Sequence, residues 1–269
     1  MAERHAEILA RIASVEQLQA IVTAMRGIAA SRVQRARSLL PGIDAYAGVV
    51  AEAIAAIAMP DGESAATTGL TVAFCAEQGF AGAFSERVLE AAGTGPVAIV
   101  GTRGEAAAHE HGITPVLTMA MANHIDTIPA LATALLDAIL RQMPEAGPWR
   151  LDLVYACAVG DGIEVERRRV LPLDPSRFPA TRTAPPLTTL PPAALLDRLA
   201  EEYFFAELCG AAMHAFAAEN AARLFSMAAA RGNIERRLDT LSAAERSARQ
   251  SEITAEITEL VAGAEATRG

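Results

Sequence analysis

At both ends of this chain apolar residues recur in steps that alternate mostly between three and four. That is the spacing of a helix that pairs with another helix. At the front the series is Ile8, Ile12, Val15, Leu18, Val22, Met25, Ile28, Val33, Ala36 and Leu39. At the back it is Leu224, Met227, Ile234, Leu238, Leu241, Ala248, Ile253, Ile257 and Leu260. A chain that starts and finishes this way can fold its own ends into one antiparallel rod. Everything resembling a conventional domain lies between them. Composition favours slender packing: 52% of the 269 residues are hydrophobic and only 4% aromatic, and small side chains let helices approach closely.

The formal net charge of −9 argues against general binding to nucleic acid. There is no lysine, so all 23 basic residues are arginine. Arg26, Arg32, Arg35 and Arg37 follow one another with no acid between them. At a helical turn of about 100° per residue, Arg26 and Arg37 fall on one side and Arg32 and Arg35 point away from them. The result is a collar around the helix, suited to a rod surrounded by acidic partners or to an ordinary solvated helix. Cys75, Cys157 and Cys209 are scattered, with neither zinc spacing nor a disulfide framework, and a reducing cytoplasm is the natural setting. The first residues lack the pattern of a signal peptide. No apolar run is expected to reach the roughly 20 residues that span a bilayer, which predicts a soluble protein.

Residues 2 to about 58 read as helix, bent but not ended by Pro41-Gly42. Pro60, Gly62 and Ser64 mark a loop. Strands are predicted at Leu70–Cys75, Val97–Val100 and, more weakly, Pro115–Thr118, with helices at Ala83–Ala92, Arg103–His111 and Ile128–Arg141. This alternation argues for βαβ units and a parallel sheet. Leu151–Ala158 and Gly162–Leu171, joined by Val159-Gly-Asp-Gly162, read as an antiparallel pair at one side of it. The charged members of the second strand, Glu164, Glu166 and Arg168, read as a solvated face. Seven prolines between 172 and 192 make an extended connector, and a final helix runs from about Pro192 to Ala264, with room for one break. The fold class is therefore α/β: a long antiparallel coiled coil of the terminal helices plus a mostly parallel, Rossmann-like sheet domain. The divisions are 1–60, 66–190 and 192–269.

Candidate chemistry is sparse. The glycine loop Glu77-Gln-Gly-Phe-Ala-Gly-Ala-Phe84 follows the first strand, where such a loop can cradle phosphate. It lacks the full Gly-x-Gly-x-x-Gly pattern, and tight turns into helices explain these glycines and those of Gly101-Thr-Arg-Gly104 better. His109 and His111 are two apart on a helix and would not converge on a metal. No catalytic, cofactor or metal residue is expected. Glu252, Glu256 and Glu259 read as a solvated face.

Both termini resemble the gamma subunit of the rotary F-type ATP synthases. The family's first helix carries Lys/Arg-Ile-x-Ser-Val and Thr-x-Ala-Met-x-x-Val-Ala-Ala-Ser-Lys. Here the chain reads Arg11-Ile-Ala-Ser-Val15 and Thr23-Ala-Met-Arg-Gly-Ile-Ala-Ala-Ser-Arg32. The family's last helix carries Glu-His-Ala-Ala-Arg-Met-x-x-Met, matched by Glu219-Asn-Ala-Ala-Arg223-Leu-Phe-Ser-Met227. It then carries Ala-Arg-Gln-x-x-Ile-Thr, matched by Ala248-Arg-Gln-Ser-Glu-Ile-Thr254. The chain departs from the family in the loop after the first strand, usually Ser-Asp-Arg-Gly-Leu-Cys-Gly-Gly-Phe-Asn. Here it is Ala76-Glu-Gln-Gly-Phe-Ala-Gly-Ala-Phe-Ser85. These departures point to a divergent branch, with the N-type enzymes as one candidate.

The resemblance implies a central rotor shaft that couples ion flow through the membrane rotor to ATP synthesis or hydrolysis. It implies one copy inside a ring of alternating alpha and beta subunits, with the α/β part and epsilon gripping the membrane ring of c subunits. The setting would be the cytoplasmic face of the bacterial inner membrane, peripherally. No catalytic residue, cofactor or nucleic acid is implied. Carried over by position, Met25, Arg26, Arg32 and Arg35 would face acidic loops of the catalytic subunits. Arg249 and Gln250 would contact a loop near the bearing, and Ile257, Leu260 and Val261 would lie in the apolar sleeve at the tip. A doubly wound nucleotide-binding enzyme, dimerised by its terminal helices, and a self-associating two-helix scaffold remain as alternatives.

Overall fold

The computed structural model describes residues 2–57, 68–142, 149–160, 162–173 and 187–266. The expected loop around Pro60–Ser64, most of the proline-rich connector and Asp161 of the hairpin turn lie outside them. Two helices dominate: α1 (Ala2–Ala55), with Pro41 inside it, and α5 (Pro192–Ala266), which is unbroken. The chain divides into two compact units, Met1–Ile28 with Leu224–Gly269, and Ala29–Arg223. The division falls inside both long helices.

In the first unit the two helices pair. The half-buried positions of α1 are His5, Ile8, Ile12, Val15, Gln19, Val22 and Met25, in steps of three and four. On α5 they include Ile234, Leu238, Glu245, Ala248, Glu252 and Ala255, with Met227 and Leu241 fully buried. His5 Nε2 lies 3.2 Å from Glu245 and Nδ1 lies 3.4 Å from Glu252. In the second unit Ile43 of α1 meets Gly210 of α5. Rising numbers on one helix thus meet falling numbers on the other, which makes the pair antiparallel.

This register corrects the expected seam. Leu18 and Ile28 are 53% and 56% exposed, and the seam runs through Gln19 and Ala29 instead. Ile253, Ile257 and Leu260 also point outward, and Glu252 takes the inner position expected of Ile253. Steps of three and four keep residues near one face, and the series through Leu18 and the series through Gln19 both meet that condition. The spacing admits either residue, and the packing against α5 selects Gln19.

The second unit holds a five-stranded sheet in the order β3-β2-β1-β4-β5. The strands are β1 (Thr68–Phe74), β2 (Val97–Val100), β3 (Leu117–Met119), β4 (Trp149–Val159) and β5 (Gly162–Leu171). β1 pairs in parallel with β2 and β4, β2 in parallel with β3, and only β4–β5 is antiparallel, at one edge. Side chains alternate between faces at a period of two. Leu70, Val72 and Phe74 join Leu151, Leu153 and Tyr155 in a core with Ala36, Val50 and Ile54 of α1, Leu208 and Ala212 of α5, and α4 (Ile128–Leu140). Ala73, Cys75, Ile99 and Val154 face α2 (Phe84–Ala92) and α3 (Thr102–Glu110), with Ala218 and Ala222 of α5. A three-residue turn of tighter helix, Ile125–Thr127, leads into α4 and was not foreseen.

The charged face of β5 needs correction. Arg168 is half-buried, ion-pairs with the buried Glu207 of α5 at 3.2 Å, and lies 5.8 Å over the Tyr155 ring. That ring stacks on His214 of α5 at 5.8 Å. The opposite side of the β4–β5 pair carries a second ion cluster: buried Asp152 accepts from Arg150 at 2.6 Å and Arg167 at 2.7 Å, with Arg169 at 3.7 Å. Burial works against ionisation of Asp152, but the hydrogen bonds from Arg150 and Arg167 outweigh it and hold its carboxyl below the usual range.

A stretch within His5–Ala55, with mean hydropathy 1.2, is long and apolar enough by composition to cross a membrane. This corrects the expectation that no run of the chain reaches that length. Among the described residues no group of three or more His, Cys, Asp and Glu could hold a metal ion. His109 and His111 are both exposed at the end of α3. The free Cys75 is buried, which pushes its thiol up to about 12 and leaves it a small apolar side chain.

Candidate functional site

In a mostly parallel sheet, function gathers beyond the carboxyl ends of the strands, where the strand order reverses. Here that point lies between β1 and β4. The loop 76–83 fills it, and the loop's polar groups are taken up from every side. Glu77 accepts from the Thr102 N–H at 3.0 Å and the Thr102 hydroxyl at 2.8 Å, both at the start of α3. It also accepts from the Met121 N–H, just after β3, at 2.8 Å. The N–H groups of Glu77 and Gln78 each donate to Glu219 of α5 at 3.1 Å. Arg223, one helical turn on, donates to Gly79 O at 3.0 Å, Gln78 O at 3.2 Å, Asn220 Oδ1 at 3.0 Å and, closely, to Glu219. The Gln78 side chain accepts from Arg32 of α1 at 3.1 Å and donates to Asn123 at 2.8 Å.

Glu219, Asn220 and Arg223 are 4%, 2% and 3% exposed, so this is a buried polar network inside an alanine-rich stretch of helix. Burying these charges is tolerable because each is paired and hydrogen-bonded. Among the described residues no buried side-chain nitrogen or oxygen lacks a partner. Backbone geometry follows from the same crowding. Gly101, at φ 122, approaches Cys75 O so closely that a Cβ would lie 2.5 Å from it. A Cβ on Gly104 would lie 2.1 Å from that of Cys75, so α3 can pack on the end of β1 only with glycine there. The glycines therefore serve tight turns and close packing, as the sequence suggested.

The arrangement is unsuited to phosphate. The Glu77 carboxylate already occupies the first N–H of α3, the place an anion would take at a helix N-terminus. The cavity beside the switch point, lined by Ala81, Phe84, Arg87 and Ile163, holds only about 110 Å³. A drug-sized or nucleotide ligand needs roughly 300 Å³ or more.

The residues singled out by sequence do not converge on one site. Met25, Arg26, Arg249, Gln250, Ile257, Leu260 and Val261 belong to the helix-pair unit, and Arg32 and Arg35 to the sheet unit. Met25 is half-buried in the seam, while Arg26, Arg249 and Gln250 are exposed. Ile257, Leu260 and Val261 are 56%, 73% and 54% exposed. Arg32 turns to Gln78, and Arg35 ion-pairs with Asp126 at 3.0 Å. Sequence reasoning gave no role to Glu77, Glu219 or Arg223. The available signal was an i, i+4 acid–base pair in a run of alanines, where charge needs an explanation.

Paired terminal helices joined to a sheet whose switch point is filled by the chain's own loop define a structural subunit, not a nucleotide-binding enzyme. Comparison with known proteins agrees. A family model described as ATP synthase matches residues 4–267. The ATP synthase gamma chain of Beutenbergia cavernae is 30% identical, over 95% of this chain and 95% of its own. That of Ruminococcus albus is 26% identical, over 94% of this chain and 95% of its own. Among solved structures, a chain of the Euglena gracilis mitochondrial ATP synthase, in an assembly of OSCP, F1 and c-ring, superposes with a TM-score of 0.70. It is 13% identical and covers 99% of this chain and 95% of its own. A chain of the Tetrahymena thermophila central stalk and c-ring gives 0.59 at 17% identity, over 78% of this chain and 99% of its own. The chain belongs to the ATP synthase gamma-chain family, the non-catalytic rotor-shaft subunits of that membrane-bound complex.

Proposed function

We propose that one copy of this chain turns inside a ring of three alpha and three beta subunits, on the cytoplasmic face of the bacterial inner membrane. Segments 1–60 and 192–269 serve as the shaft. Segment 66–190, together with epsilon, grips the ring of c subunits. The observation that carries this reading is the outward apolar surface of the helix pair. Leu9, Leu18, Ile21, Ile257, Leu260 and Val261 are each at least 47% exposed. On α5, Ile257, Leu260 and Val261 share one face at helical spacing, and exposed apolar residues grouped in this way mark an interaction face. An apolar sleeve also lets a shaft turn without breaking directional bonds.

In this reading Met25 and Arg26 meet acidic loops of the catalytic subunits, and Arg249 and Gln250 meet a loop near the bearing. Arg35 can join them. Its pair with Asp126 is 62% and 71% exposed, and such surface pairs contribute about 0–1 kcal/mol, so exchange to a partner carboxylate costs little. Arg32 is engaged with Gln78 and acts through that contact.

Native mass spectrometry of the complex extracted from membranes tests the proposal. Three copies each of two larger ATP-binding subunits with one of this chain are expected. Recovery of this chain in pairs, or without those subunits, would sink it. Changing Arg26 and Arg35 together to Ala should weaken coupled ATP turnover while the isolated chain stays folded, and normal turnover would remove the assigned contacts.

A further inference from the structure

We infer that Glu77 is a positioning residue for rotary coupling, fixing the loop after β1 as a polar contact through which α1 and α5 are held to the inner strands of the sheet. The inference rests on the rotor-shaft reading above. Residues 77–79 are held from two sides. On one side are the long helices: Glu219 and Arg223 of α5 hold the backbone, and Arg32 of α1 holds the Gln78 side chain. On the other side are the ends of the inner strands. Glu77 spans both α3, which follows β2, and Met121, which follows β3. Its side chain therefore ties the loop that α1 and α5 hold to the ends of two inner strands.

The next residue shows how firmly the loop is held. Phe80 has φ 64, in the left-handed region that bulky residues avoid, and is 65% exposed. A side chain in the open has no packing of its own to hold it there. Such a conformation persists only where the surroundings over-determine it. The flanking contacts of Glu77, Gln78 and Gly79 on one side and Gly82, also left-handed at φ 62, on the other supply that constraint.

The chemistry requires a carboxylate. Three donors converge on Glu77, the Thr102 N–H, the Thr102 hydroxyl and the Met121 N–H, and they use both of its oxygens. A glutamine of the same size offers one acceptor oxygen and turns an NH₂ toward a donor. A loop loosened in this way weakens the polar part of the attachment of α1 and α5 to the inner strands, beside the apolar packing that remains. ATP hydrolysis in the ring would then be transmitted incompletely to the membrane rotor.

The test uses the complete complex, reassembled with the full-length chain in vesicles, with ATP-driven ion pumping and ATP hydrolysis measured in the same preparation. Glu77→Gln should lower the ions pumped per ATP hydrolysed, because one of the donors around that side chain loses its acceptor. Glu77→Asp, which keeps the charge, should recover most of the ratio. A merely structural role would lower the melting temperature or the yield of complex and leave the ratio in the assembled fraction unchanged; that result overturns the inference. Should Glu77→Gln fail to assemble, Thr102→Val removes one donor and decides the question by the same ratio. Failure of the wild-type chain to assemble with alpha and beta subunits would instead overturn the shaft reading itself.

Discussion

Gly104 and Gly232 show how one residue type can be required at one place and wasteful at another. The position of Gly104 against Cys75 leaves no room for a methyl group, whereas nothing lies within 4 Å of the Cβ position of Gly232 in α5. Gly104→Ala should destabilise by about 1–3 kcal/mol through overpacking. Gly232→Ala should stabilise by about 0.5–1 kcal/mol, because alanine loses less backbone entropy in a helix. Thermal melts of the two variants check both signs. Asp152 makes an electrostatic case. Its carboxyl is held below the ordinary range, so its contribution is complete above the unfolded value and is lost as pH falls through the lower, folded value. Asp152→Asn should cost about 1–3 kcal/mol at neutral pH, discounted for partly exposed arginines. It should also flatten the acid limb of a urea stability curve. His214 works in the opposite sense to a paired histidine. Burial lowers its pKa, so the unfolded chain takes up the proton first and stability falls as pH drops through the ordinary histidine range. His214→Phe, which keeps the stack on Tyr155, should remove that loss from the pH 5–7 part of the curve.

Among elements, the helix pair is where the packed register outranks hydrophobicity. Val22 is half-buried on the seam, while its neighbour Ile21 is 54% exposed. Val22→Asp should lower stability by about 2 kcal/mol and open the pair to proteolysis, whereas Ile21→Asp should leave the isolated chain's melt within ~0.5 kcal/mol. Equal effects would mean that the register is wrong. The sheet repeats the lesson. The alternation of β1 put Leu70, Val72 and Phe74 on one face, and both faces proved to be covered. The charged alternation of β5 looked solvated because a strand's pattern cannot say what packs on it. Only the passage of α5, with Glu207 and His214, reveals that Glu166 and Arg168 face a partner.

For the whole molecule, the end of α5 distinguishes the isolated chain from the assembled one. All residues from Glu256 to Ala262 are exposed, so their amides lie in a stretch of helix with little burial to protect them. Hydrogen exchange there should be among the fastest in the purified chain and should slow at least about tenfold within the complex if Ile257, Leu260 and Val261 enter an apolar sleeve. Unchanged exchange on assembly would exclude that contact.

The sequence by itself determined the elements and their kinds. The spacing of three and four along α1 and α5, the apolar runs of β1 and β2, the alternation of β5 and the glycines before α3 are local consequences of backbone geometry, and these were legible. The terminal motifs carried the family as well. Only the tertiary structure decided which of two adjacent residues faces inward, such as Leu18 or Gln19, because that depends on a register shared with a partner more than 200 positions away. It alone also decided the polar joint. Glu77, Thr102, Met121, Glu219 and Arg223 are scattered along the chain, and nothing in the spacing of one announces the others. Charges are drawn together across such distances because a buried carboxylate needs donors, and the fold rather than the neighbouring sequence supplies them.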